Sequence, residues 1–114
     1  MERFQNSDLM SKQAEIFKAL SQETRLAILH ILSERQMSVN EIVELLGDKE
    51  RTGVSKHLAI LRKLEIIGQR EEGQKRIYFL KAHCLLDAVS CTLQMTDRGK
   101  KGESIRNAGR MFRE

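Results

Sequence analysis

The chain has 114 residues, 40% hydrophobic and 32% charged, with a formal net charge of +4. That length suits one small domain with a limited core, which dimerisation would supplement, and no run approaches the ~18 apolar residues of a membrane span. The opening MERFQNSD lacks the apolar stretch of a signal peptide, so the two cysteines are expected as reduced thiols of a cytosolic protein with no membrane anchor.

Residues 1–7 read as a flexible N-terminus. Asp8 to Leu20 reads as a helix with Leu9, Ile16, Phe17 and Leu20 apolar. Ser21 offers an N-cap for a second helix, with Glu23 at its positive end. From Arg25 to Ser33 that helix is apolar nearly all round (Leu26, Ala27, Ile28, Leu29, Ile31, Leu32). It is the expected centre of the fold, and His30 is expected as a core residue within it. Ser38-Val39-Asn40-Glu41 forms a capping box, in which Ser38 and Glu41 each satisfy a free backbone N–H. The helix that follows carries Ile42, Val43, Leu45 and Leu46, and Gly47 stops it.

Asp48 to Thr52 is a turn into a fourth helix, which starts between Glu50 and Gly53. Wound at about 100° per residue, Gly53 to Leu64 puts Val54, Leu58 and Leu61 in one apolar stripe that Ile60 and Leu64 widen. The opposite arc holds Ser55, Lys56, Ala59, Arg62 and Lys63, and Arg51 and Thr52 extend it backward without a carboxylate. After Leu64 the period changes. Ile66 to Arg70 and Arg76 to Leu80 read as strands joined at Glu72-Gly73-Gln74. A last helix runs from about Ala82 to Gln94, inside a domain of residues 8–95, and residues 96–114 form a basic, polar tail. The fold class is mostly α with a small β-hairpin: a winged helix-turn-helix in the order α-α-α-α-β-β-α, expected as a dimer.

The charge pattern points to a polyanion. Lys49 to Arg76 contains eight Lys/Arg against four Asp/Glu, and Asp97 to the end contains six against three. With only five aromatics, there is no row of rings for stacking single-stranded bases, so duplex DNA fits better. A helix-turn-helix puts its second helix into a major groove about 12 Å wide. The carboxylate-free arc then faces DNA, with Arg62 and Lys63 among its cations. The hairpin is a wing whose Arg70, Gln74, Lys75 and Arg76 reach the flanking backbone or minor groove. No Gly-rich phosphate loop, Cys-x-x-Cys pair or nucleophile elbow is present, so no catalytic residue is assigned and an enzyme is rejected.

Taken together, FKALSQETRLAILHILSE, MSVNEIVELLG, VSKHLAILRKLEIIGQREEGQKRIYFL and the closing helix resemble the ArsR/SmtB winged-helix repressors over roughly residues 10–95. The resemblance implies homodimers paired through the first and last helices, and a dimer of so short a chain with apolar end helices is expected on a roughly palindromic operator. It also implies DNA binding that is released when a metal ion, metalloid or oxidant reaches a sensor site. The family's base-reading face maps onto Arg51, Thr52, Ser55 and Lys56, with His57 beside them. Two family sensor sites are missing. Ser38 and Asn40 stand where a soft-metal site has cysteines. Asp87 is followed by Ala88 and Val89 with no histidine after His83, so the zinc site of the last helix is absent too.

Cys84 and Cys91 remain, seven residues apart on the last helix. At 1.5 Å per residue they are about 10 Å apart, beyond the roughly 4.4–6.8 Å of disulfide Cα atoms, so an intact helix excludes an intrachain bond. Across an antiparallel helix pair, Cys84 of one chain could approach Cys91 of the other and oxidise or bind a thiophilic metal or metalloid. Against this stands a packing role, since buried free cysteines often act as small hydrophobes. His83 beside Cys84 is a weak third ligand, and the identity of any metal is unknown. His57 lies in the apolar arc of its helix, where packing or one donated bond to a backbone or phosphate group is favoured over metal. Two alternatives stay open: a DNA-binding dimer with no effector, and a winged helix that docks an acidic protein partner.

Overall fold

A computed structural model describes residues 7–47 and 51–96. Most of the expected flexible N-terminus, the basic tail from residue 97 and the turn at 48–50 lie outside them. Ser7 and Thr96, assigned to the two tails from sequence, are both helical.

Eight elements follow in chain order: α1 (Ser7–Ala19), α2 (Glu23–Glu34), β1 (Met37–Ser38), α3 (Val39–Leu46), α4 (Arg51–Lys63), β2 (Ile67–Glu72), β3 (Lys75–Leu80) and α5 (His83–Thr96). α2 is the hub. Its Ala27, Ile28, Leu29, Ile31 and Leu32 are buried, and the last four form one cluster with Ile42 and Val43 of α3, Val54, Leu58 and Leu61 of α4, and Ile67 and Leu80 of the sheet. Fully burying each of these larger aliphatic side chains contributes about 1.5–3 kcal/mol, so the core fixes how the other helices lean on α2.

Sequence chemistry sets the boundaries of α3 and α4. Ser38 Oγ accepts from the Glu41 N–H at 3.3 Å, and Glu41 Oε1 accepts from the Ser38 N–H at 3.0 Å, completing the capping box. Gly47, at φ +99°, ends α3 and donates its N–H to Val43 O at 2.8 Å. α4 ends in a Schellman motif: the Ile66 N–H reaches Leu61 O, and the Glu65 N–H reaches Arg62 O, each at 3.0 Å. This puts Glu65 at φ +63°, where glycine is the usual occupant. Buried Leu61 and Ile66 make the apolar contact that accompanies such a cap.

Two expectations are corrected here. Ser21 does not cap α2; its hydroxyl donates back to Lys18 O at 2.6 Å, and Gln22 takes the N-cap position with no side-chain bond. The helix begins at Glu23, so Ser21 lies one residue before the N-cap position and its hydroxyl closes the end of α1 instead. The sheet also has three strands, in the order β1-β3-β2, where a hairpin was expected. Met37 pairs with Tyr78 and Ser38 with Ile77, so the residues just before α3 add an edge to the wing. The β2–β3 hairpin turns through Gly73-Gln74 between the paired Glu72 and Lys75. Gly73 alone of these two has a positive φ, the pattern of a II′ turn.

Candidate nucleic-acid interface

α4 divides as its sequence predicts. Val54, Leu58 and Leu61 are buried, whereas Thr52, Ser55, Lys56, Ala59, Arg62 and Lys63 are exposed. Arg51 supplies the first residue of the helix. Among the described residues no ion pair holds Lys56, Arg62, Lys63, Lys75 or Arg76. These side chains keep their charge available for an external anion.

The recognition arc and the wing meet in one groove of about 450 Å³, lined by Ser55 from α4, Gln74, Lys75, Arg76 and Tyr78 from the hairpin, and Ser38, Asn40, Glu41 and Glu44 from the start of α3. The groove thus brings one side chain of the α4 arc, Ser55, beside the exposed Gln74, Lys75 and Arg76 of the wing. Glu41 is the best-neutralised acid in this groove. The Ser38 backbone N–H and the Arg35 guanidinium, at 2.8 Å, hold its carboxyl down at about 2. Glu44 is exposed there. Asn40, seen in the sequence only as a replaced ligand position, lies on the groove wall. Its signal was its place just after the capping serine, on the first exposed turn of α3.

Other expected contacts sit differently. Arg70 lies across the sheet, where one Nη donates to Gln36 Oε1 and the other reaches Glu72 Oε2 at 3.2 Å. Both partners are exposed, so the ion pair is weak and a phosphate could compete for the guanidinium. His57 is half-buried, and its Nδ1 accepts from Arg25 Nε at 2.9 Å. The bond expected of it was a donated one; the structure shows an accepted one, because a buried arginine faces the ring. His30 is buried as expected. Burial pushes its imidazole pKa down, and its Nδ1 has no hydrogen-bond partner.

α1 and α5 leave apolar groups uncovered. α1 exposes Leu9, Met10 and Phe17, the last at 57%, and α5 exposes Met95 at 68%. α5 buries no residue fully, although Leu85, Leu86 and Val89 lean on the core. Cys84 and Cys91 are both free and exposed on this helix. Among the described residues of one chain, no group of three or more His, Cys, Asp or Glu could hold a metal ion. A metal centre within one subunit therefore does not fit the residues described. No helix among them is long and apolar enough to cross a membrane.

Residues 20–70 match the helix-turn-helix domain family. The chain is 40% identical over 79 residues to the transcriptional regulator KmtR of Mycobacterium tuberculosis, a stretch covering 66% of this chain and 60% of KmtR. It is 32% identical over 84 residues to the transcriptional repressor SdpR of Bacillus subtilis, covering 74% of this chain and 92% of SdpR. The crystal structure of M. tuberculosis Rv0081 superposes with a TM-score of 0.68 at 29% identity, over 79% of this chain and 90% of that one. With the helix order, the three-stranded wing and the basic recognition helix in place, the chain belongs to the ArsR/SmtB family of winged helix-turn-helix transcriptional regulators.

Proposed function

We propose that the protein is a homodimeric repressor that binds a roughly palindromic duplex operator. Thr52, Ser55 and Lys56, with Arg51, read the major groove, while Arg62, Lys63, Gln74, Lys75 and Arg76 hold the phosphate backbone. The single observation that carries this reading is the shared groove, which Ser55 of α4 and the wing's Lys75 and Arg76 line together. The dimer rests on the exposed apolar side chains of α1 and α5, and on the homodimer described for a winged helix-turn-helix chain of the same fold. The repressor sense rests on the likeness to SdpR.

The signal acts through Cys84 and Cys91. Both are exposed on the helix expected at the dimer interface, so the packing role is disfavoured within one subunit. Selection of duplexes from a random pool, followed by binding titrations at several salt concentrations, tests the main reading. The expected result is a palindromic consensus with half-site centres ~34 Å apart or a multiple, two chains per site and affinity falling steeply with salt. Enrichment of no sequence, or a monomer on each footprint, refutes it.

A further inference from the structure

We infer that Arg25 is a positioning residue for DNA recognition, a buried brace that sets the rotation of α4 through His57. The inference rests on the DNA-binding reading above. Arg25 is only 9% exposed, yet no carboxylate pairs with it among the described residues. Its two bonds go to neutral acceptors: Nε donates to His57 Nδ1 at 2.9 Å, and Nη1 donates to Ala19 O at 3.2 Å. A buried guanidinium without a counter-ion is costly, and one that merely filled space would be better replaced by an apolar side chain. What this charge gains is a rigid planar fork joining three helices.

Each end of the fork has a distinct consequence. Ala19 is the last residue of α1, so its carbonyl is one of the orphan acceptors at the negative end of that helix, and Arg25 satisfies it. α1 is also the helix that exposes Leu9, Met10 and Phe17. At the other end, His57 shares the inner side of α4 with buried Val54 and Leu61, and its ring lies back over Gly53. Fixing His57 fixes the roll of α4 about its axis. A roll of about 10° moves groups at the ~5–6 Å outer radius of a helix by about 1 Å. That displacement is enough to spoil hydrogen bonds from Thr52 and Ser55 to base edges. The brace therefore ties the end of α1 to the aim of the recognition helix.

The bond also dictates the state of the imidazole. Accepting at Nδ1 requires the neutral ring with its proton on Nε2. This gives a signature that a space-filling arginine would not produce.

The test uses the full chain and a duplex selected by the wild type, with Arg25→Gln, His57→Ala and the double variant. Each single change should weaken binding about tenfold, which is ~1.4 kcal/mol, while circular dichroism and the dimer mass stay unchanged. The double variant should lose no more than the weaker-binding single one, because both remove the same link. In the wild type, ¹⁵N NMR should show an unprotonated, hydrogen-bonded His57 Nδ1, and Arg25→Gln should shift that resonance toward a free imidazole. Wild-type affinity in the single variants, additive losses, or a protonated Nδ1 in the wild type would each overturn the brace. Should Arg25→Gln fail to fold, the affinity of His57→Ala and the wild-type ¹⁵N spectrum still decide it. A wild type that binds no duplex defeats the DNA reading itself, whereas wild-type binding with unaffected variants defeats only the brace.

Discussion

Ser55 of α4 and Arg76 of β3 line the same groove, one from the recognition helix and the other from the wing. A ligand in this groove meets a hydroxyl on the recognition helix and a cation on the wing together. In DNA terms the first can carry sequence information and the second only position.

Two kinds of variant should therefore separate. Replacing Lys75 and Arg76 together by Ala should lower affinity severalfold for every duplex and flatten the salt dependence by about 2 in log–log slope. The preferred half-site should not change. Ser55→Ala or Thr52→Ala should instead change which base pairs are preferred. Competition assays with single-base variants of the selected duplex distinguish the two, and a shifted base preference in the wing variant contradicts the assignment.

The wing has a second dependence, on glycine. Gly68 pairs with Phe79 across β2 and β3, and a Cβ at Gly68 would lie 2.6 Å from Phe79 Cζ and 2.7 Å from Cε2. The ring covers the bare backbone. Gly68→Ala should destabilise the fold by about 1–3 kcal/mol through overpacking. Adding Phe79→Leu should recover part of that loss, since the two positions share one space. Thermal melts of the single and double variants check this, and additive losses would show that the clash is not the cause.

Acid should lower the stability of the fold in two pH windows with separable origins. Burial lowers the pKa of His30 from 6.5, so the unfolded chain takes up that proton first. Stability tied to neutral His30 is complete above pH 6.5 and is lost as the pH falls below it. Glu41 has its pKa lowered from 4.5 to about 2, so its contribution is present above pH 4.5 and disappears between there and about 2. His30→Leu should flatten the upper stage, and it removes a buried Nδ1 that has no hydrogen-bond partner. Glu41→Gln keeps a capping-box acceptor and should flatten only the lower stage. Urea midpoints measured from pH 8 to 2.5 reveal both, and an unchanged profile in either variant refutes its assignment.

Features governed by neighbours in sequence were legible without coordinates. The Ser38–Glu41 box, the Gly47 stop and the Val54, Leu58, Leu61 stripe all follow from local spacing, and so does the exposed basic arc opposite that stripe. What stayed hidden depends on long-range contact. β1 is two residues long, too short to show a period of two, and exists because Met37 and Ser38 meet β3. Arg25 and His57 are 32 positions apart, and nothing in either segment signals their bond. Arg70 read as a free wing cation because Gln36, which binds it, belongs to the loop before β1.

Cys84 and Cys91 are exposed on α5, which buries no residue fully in the single subunit and needs a partner to cover its apolar side chains. Seven residues of helix keep them about 10 Å apart within one chain, so a disulfide on an intact α5 must join two chains. Forming it removes two electrons and two protons from the thiols, which an added oxidant such as diamide accepts. The bond locks the α5 pair in one geometry and, through it, the spacing of the recognition helices. A coupling of about 1–3 kcal/mol would weaken operator binding roughly 5- to 150-fold. Oxidised wild type should run as a covalent dimer on a non-reducing gel and regain its DNA affinity with dithiothreitol. Cys84→Ser and Cys91→Ser should each abolish both changes while leaving the reduced-state affinity unaltered. A thiophilic ion added under reducing conditions provides a second arm, since two thiolates from two chains could also be joined by ligation. If the double serine variant responds as the wild type does, or the wild type responds to neither treatment, these cysteines do not carry the signal.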